Sequence, residues 1–272
     1  MRVGFIGLGS QGGPMARRIV EGGFDLTLWA RRAASLEPYS DTAAKTAATP
    51  AELGAASDLV CLCVVGDDDV RQVLHGDEGV LAGLQPGGIV AIHSTIHPDT
   101  CRELAEAAAK QGVTVIDAPV SGGAPAVEEG TLMVMVGGAD DVIETVRPVF
   151  ATYSDAIVHL GGLGAGQVAK ILNNLQFTAN LGSALSTLEL GDALGLERQR
   201  LCEVLNRGSA TSKAISSITM FGGTVEGLAP IAGGLLQKDV RHAASLAAEA
   251  GASEGTVFTV ADTALENMDH AR

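Results

Sequence analysis

Residues 2–21 read RVGFIGLGSQGGPMARRIVE: a five-residue strand-like segment, a glycine-rich turn and a stretch of helical periodicity, with nothing between them. Gly7, Gly9 and Gly12 are spaced as G-x-G-x-x-G, with Leu8, Ser10 and Gln11 in the intervening positions. Each glycine meets a physical need. The first permits a tight turn, the second lets the backbone approach a bound pyrophosphate, and the third allows a helix to pack closely on a strand. The helix start then offers unpaired amides to an anion. The spacing alone is a weak signal, but here it occupies the strand–turn–helix context that its mechanics require. A chain that begins this way is committed to a βαβ unit and a parallel sheet.

The rest of the first half keeps that rhythm. Residues 25–29, 59–65, 89–93 and 113–117 are short apolar runs with the character of buried strands, and residues 14–21, 70–74 and 98–111 between them have helical character. Residues 131–136 and 156–160 add two further strands that close the domain. Strand signals stop near residue 160. Residues 166–194 suit one helix of about 30 residues and about 45 Å. Gly208 and Gly251 read as helix ends. The fold class expected is α/β, a doubly wound Rossmann-type sheet in residues 1–162 followed by an all-helical domain in residues 163–272, joined by the long helix.

Composition narrows the function. The net charge of −14 argues against nucleic-acid binding, which needs clustered Lys and Arg. An anionic ligand must then be held by a local basic or amide site. Hydrophobic residues make up 46% and aromatic residues only 3%, a mix suited to close α/β and helical packing. Cys61, Cys63, Cys101 and Cys202 lack metal-ligand spacing, so no metal site is expected, and a reduced cytoplasmic protein is the simple reading. The chain enters an apolar strand at once, without signal-peptide character, and no apolar run is long enough to span a bilayer.

Two further segments carry chemistry. After the second strand comes LTLWARRAAS, with Arg31, Arg32 and Ser35 but no acid. A dinucleotide site for NAD places Asp or Glu there against the ribose 2′-hydroxyl, whereas guanidinium groups suit the 2′-phosphate of NADP. NADP(H) is therefore favoured over NAD, the alternative being a solvated basic loop. On the long helix, Lys170, Asn173 and Asn174 fall at i, i+3 and i+4, sharing one face amid Val168, Ala169, Ile171 and Leu172. A lysine so placed can donate a proton to a developing alkoxide or accept one from an alcohol. It can equally snorkel to solvent.

Four motifs in order resemble the β-hydroxyacid dehydrogenases, a family that includes 3-hydroxyisobutyrate dehydrogenase and glyoxylate/succinic semialdehyde and tartronate semialdehyde reductases. GFIGLGSQGGPMA resembles the cofactor loop. DAPVSGGAPAVEEGTL, residues 117–132, resembles the substrate signature. GAGQVAKILNN resembles the catalytic helix, and LLQKDV a late lysine motif. The resemblance implies that Ser121, Gly122 and Gly123 hold a substrate carboxylate, that Lys170 is the general acid/base, and that Asn174 bonds the substrate, with Asn173 a weaker candidate. It implies that Val64 and Val65 line the adenosine side of the cofactor, that Thr95 contacts the nicotinamide half, and that Lys238 closes on the cofactor with Asp239 as its neighbour. The implied partner is a small hydroxy acid or semialdehyde, and the implied assembly a homodimer or homotetramer.

The chain departs from the family pattern at Gln11 and Arg18, in the acidic loop Val65-Gly66-Asp67-Asp68-Asp69, which lacks the usual Leu-Pro turn, and at Lys213 and Ile231, where aromatic residues are common. Lys213 either receives a second anionic group or points into solvent. Two other readings compete. An imine reductase of similar fold would carry a different residue at position 170. A non-catalytic NADP-binding module would have no need of Lys170, Asn174, Ser121 and Lys238.

Overall fold

The computed structural model describes residues 1–272. Five parallel pairings build one six-stranded sheet in the order β3-β2-β1-β4-β5-β6. The strands are β1 (Arg2–Ile6), β2 (Asp25–Trp29), β3 (Lys45–Thr46), β4 (Leu59–Leu62), β5 (Ile89–Ile92) and β6 (Thr114–Asp117). Alternation along the strands feeds two cores. Val3, Phe5, Cys61 and Ala91 enter one, with Met15 and Ile19 of α1 (Gly12–Glu21). Ile6, Val60, Leu62, Val90 and Ile92 enter the other. That second core is closed by Leu53 of α2 (Pro50–Ala55), Val70 and Leu74 of α3 (Asp67–Leu74), Val80 and Leu81 of α4 (Val80–Gly83), and Leu104 of α5 (Pro98–Ala109). Apolar burial on both faces is what a parallel sheet requires.

The last two strands form as expected, in a sheet of their own. β8 (Met133–Val136) and β9 (Ala156–His159) do not extend the main sheet but form a second, three-stranded one with β7 (Val120–Ser121). β7 runs antiparallel to β8, and β9 runs parallel to it. The chain turns over at Ala118 and Pro119, and only an isolated antiparallel bridge, Asp117 to Gly137, links the two sheets in register. Between these strands lie α6 (Gly123–Glu129) and α7 (Asp140–Phe150). The latter sends Ile143, Val146, Val149 and Phe150 into the first core.

The long helix, α8, spans Ala165–Ala193. The chain divides into two compact units within it, Met1–Lys170 and Ile171–Arg272. The second unit is wholly helical: the rest of α8, then α9 (Arg198–Arg207), α10 (Lys213–Met220), a π-helical turn at Ala229–Gly233, α11 (Gly234–Glu249) and α12 (Gly255–Asn267). Its core joins Leu175, Leu181, Leu185 and Leu188 of α8 to Ile215, Ile218, Val240, Phe258 and Leu265. No helix is long and apolar enough to cross a membrane.

At Gly182 the backbones of α8 and α12 meet so closely that a Cβ would sit 2.1 Å from the Val260 carbonyl oxygen. Gly182→Ala is expected to cost about 2 kcal/mol, as overpacking does. The measurement is a fall in denaturant midpoint with unchanged slope, and equal midpoints would mean the helices separate freely.

Candidate active site

The glycine loop is shaped by three close approaches. Gly7 takes a φ of +103°, and a Cβ there would meet the Cys63 carbonyl oxygen at 2.1 Å. A Cβ on Gly12 would meet the Gly7 carbonyl oxygen at 2.0 Å, so helix and loop touch backbone to backbone. Gly9 is exposed and has open space where a side chain would stand. Gln11, the residue before α1, makes no side-chain cap, so the first-turn amides face the loop. Its Nε2 instead reaches the Met15 sulfur at 4.0 Å. Leu8 packs against the first core, and Ser10 is exposed. A backbone cradle free of side chains beneath an uncapped helix start suits a pyrophosphate.

Arg31 and Arg32 follow β2 and are exposed. Arg31 pairs with Asp69 at 2.8 Å. The acidic run is the first turn of α3, three residues earlier than the apolar pattern indicated, with Gly66 as its N-cap. Acids there complement the helix dipole. Each has a separate task. Asp67 accepts from the His97 amide (2.9 Å) and the Thr100 hydroxyl (2.7 Å), clipping α3 to α5. Asp68 reaches Arg71, and Asp69 reaches Arg31. Arg18 donates to the Thr152 carbonyl and so has a structural partner.

The carboxyl ends of β4 and β5 are stitched together. The Val64 amide donates to Ser94 Oγ at 2.8 Å, while Val65 is exposed. Thr95 lies between two residues held by one buried side chain: Gln167 Nε2 donates to the Ser94 carbonyl (2.8 Å), and Gln167 Oε1 accepts from the Ile96 amide (3.1 Å). Nothing in the sequence motifs singled out Gln167. The available signal was a lone amide side chain in an otherwise apolar helix start.

Asp117 is fully buried, and its two oxygens accept from the Gly164 amide (2.6 Å) and the Gln167 amide (2.7 Å) at the start of α8. Burial pushes its carboxyl up to about 6, against the opposing pull of those backbone amides. One turn further on, Lys170 is half-buried. Its charge is felt at Cys63, whose thiol burial pushes up to about 12. Lys170 therefore lies within electrostatic range of the end of β4.

Downstream of Asp117, His93 Nδ1 bonds the Ala118 carbonyl at 2.7 Å, fastening the end of β5 to the signature segment. Ser121 is half-buried. Gly122 and Gly123 are exposed and take φ values of +137° and +74°, which turn the backbone into α6.

Within the second unit, Asn174 Nδ2 donates to Asp239 Oδ2 at 2.5 Å, and Lys238 Nζ pairs with Asp239 Oδ1 at 2.9 Å. Asp239 is 3% exposed and holds both side chains, so it is more than a neighbour of the lysine. Asn173 is exposed and donates to Asn174 Oδ1. Lys213, the first residue of α10, and Ile231 are both exposed.

Comparison with known proteins gives the chain a family. Residues 2–161 match the family model for the NAD binding domain of 6-phosphogluconate dehydrogenase. Residues 164–270 match that for the NAD-binding region of NADP-dependent 3-hydroxyisobutyrate dehydrogenase. A 2-(hydroxymethyl)glutarate dehydrogenase of Eubacterium barkeri is 33% identical over 217 residues, covering 80% of this chain and 72% of that protein. An NAD-dependent L-serine dehydrogenase of Pseudomonas aeruginosa is 33% identical over 225 residues, covering 83% and 76%. The solved structure of Mycobacterium tuberculosis 3-hydroxyisobutyrate dehydrogenase with L-serine superposes with a TM-score of 0.84 at 27% identity, over 100% of this chain and 96% of that one. A parallel dinucleotide-binding sheet followed by a helical unit, with both family models matched in order, defines an NAD(P)-dependent oxidoreductase acting on CH–OH groups. The chain belongs to the β-hydroxyacid dehydrogenase family, in its 3-hydroxyisobutyrate dehydrogenase-like branch.

Because Asp117 has a folded pKa above its ordinary 3.8, the native state holds that proton more tightly than the unfolded chain. The stability this group confers is therefore full below about pH 4 and is lost as pH rises through about 6. Asp117→Asn removes the titration. The parent is expected to lose up to about 3 kcal/mol relative to this variant between pH 4 and pH 7, read by urea unfolding at both. A difference independent of pH would place the carboxyl at its ordinary value.

Proposed function

We propose that this enzyme interconverts a short β-hydroxy acid, or a related hydroxy acid, and its semialdehyde or keto form, with NADP(H) preferred over NAD(H). The observation that carries the reading is the anchoring of the α8 start. Asp117 and Gln167 bind it to the carboxyl ends of β5 and β6, and Lys170 follows one turn later. Relatives named as dehydrogenases of 2-(hydroxymethyl)glutarate and L-serine support a small hydroxy acid as substrate.

The backbone at Gly7, Leu8, Gly9, Ser10, Gln11 and Gly12 would hold the pyrophosphate, and Arg31 and Arg32 the 2′-phosphate. Val64 and Val65 would flank the adenosine, with Thr95 and Lys238 near the other end. The nicotinamide supplies or accepts a hydride when bound. The remaining chemistry belongs to the chain. Ser121 and the amides of Gly122 and Gly123 bind the substrate carboxylate, which explains how a chain of charge −14 takes an acid. Asn174, oriented by Asp239, bonds the substrate oxygen. Lys170 Nζ gives its proton to the forming alkoxide in reduction and takes it back from the hydroxyl in oxidation. Assembly as a homodimer or homotetramer, and a cytoplasmic setting for the four free thiols, complete the reading.

Initial rates at the reduced-nicotinamide absorbance band test it, with NADPH and NADH each offered glyoxylate, succinic, methylmalonate and tartronate semialdehydes. Oxidation of NADPH with one of them is expected, and nucleotide binding without turnover on any would remove the substrate class. Lys170→Ala should lower turnover at least about a hundredfold while leaving cofactor affinity nearly unchanged. Near-parent turnover would take the proton-transfer role from Lys170.

A further inference from the structure

The strand order reverses at β1, with β2 on one side and β4 on the other. In open α/β sheets the crevice beyond the carboxyl ends at such a reversal is where ligands lie, and the adenosine ribose sits by the end of the second strand. Arg31 leaves β2 at that point. Asp69 stands in the first turn of α3, after β4. Their side chains meet across the crevice, Arg31 Nη2 to Asp69 Oδ1 at 2.8 Å. Arg31 also lines a cavity of ≈ 490 Å³ together with Trp29, Gln72, Val73 and His75. The guanidinium is 57% exposed and the carboxylate 24%, so the acid is the more firmly seated member and the arginine the one it restrains. Arg32 is exposed and makes no ion pair.

The acid missing after β2 is thus delivered from another element. A guanidinium already engaged by a carboxylate has fewer N–H groups to offer a phosphate, and its charge is offset. The same carboxylate repels a dianionic 2′-phosphate, whereas a 2′-hydroxyl can donate to its oxygens. We infer that Asp69 is a cofactor-selectivity residue: by holding Arg31 it weakens the 2′-phosphate site and narrows the advantage of NADPH over NADH. This rests on the nicotinamide-binding reading above, and on Arg31 facing the 2′ position.

The test is equilibrium binding of NADPH and of NADH to the full chain, followed by nucleotide fluorescence, in the parent, Asp69→Asn and Asp68→Asn. Asp68 has the same charge and lies in the same helical turn, but its wholly exposed side chain reaches Arg71, at 3.4 Å, rather than Arg31. Asp69→Asn should raise selectivity for NADPH by about two- to fivefold, the range of one exposed charge pair, chiefly by tighter NADPH binding. Asp68→Asn should move it by less than half as much. Asp69→Ser gives a second reading should the first variant misfold. Unchanged selectivity, a shift toward NADH, or an equal effect from Asp68→Asn would overturn the inference. If the parent bound neither nucleotide, the functional reading would fall with it.

Discussion

A single buried carboxylate ties the main sheet to the start of the long helix within the first unit. Asp117 is the last residue of the main sheet and also the acceptor for the first amides of α8. The start of a 29-residue helix carries several unpaired N–H groups, and in the interior they need partners. A negative charge at that end also complements the helix dipole. Burial makes the ionised form costly, yet the amides that need an acceptor are there to receive it. Gln167 adds a second tie, from the same helical turn to the backbone on either side of Thr95. The position of Lys170 is thereby set by the sheet and not by the helix's own surroundings.

The helical unit solves a related problem with another acid. Asp239 presents one oxygen to Asn174 and the other to Lys238. A carboxylate 3% exposed would be unfavourable alone, and a hydrogen-bond donor at one oxygen with an ammonium near the other offsets its charge. In both units an acid that touches no proposed reactant orients the groups that do.

Local features of the chain were legible because they follow from local physics. Apolar runs marked every strand longer than two residues, and the unbroken helical pattern marked α8 to within one residue at each end. β4 and β5 end earlier than their apolar runs, because their carboxyl ends leave the ladder for side-chain partners. The Val64 amide bonds Ser94 Oγ there. What escaped a linear reading is pairing over distance. Arg31 meets Asp69 across 38 residues, and Asn174 meets Asp239 across 65. No spacing rule predicts either. The glycine loop, the SGG turn and Lys170 were visible as motifs. The roles of Asp117 and Gln167 in holding them required the fold.

Free thiols in an NAD(P)-dependent oxidoreductase would ordinarily be a chemical weakness. Here the sheet removes it. Cys61 and Cys101 are sealed in the two cores, and burial drives both thiols far above their ordinary range, with Cys63 raised to about 12. A thiol reacts with peroxides and electrophiles only as the thiolate. The packing that lets strands and helices approach so closely also keeps these sulfurs protonated, so peroxides and electrophiles meet inert apolar groups instead of nucleophiles.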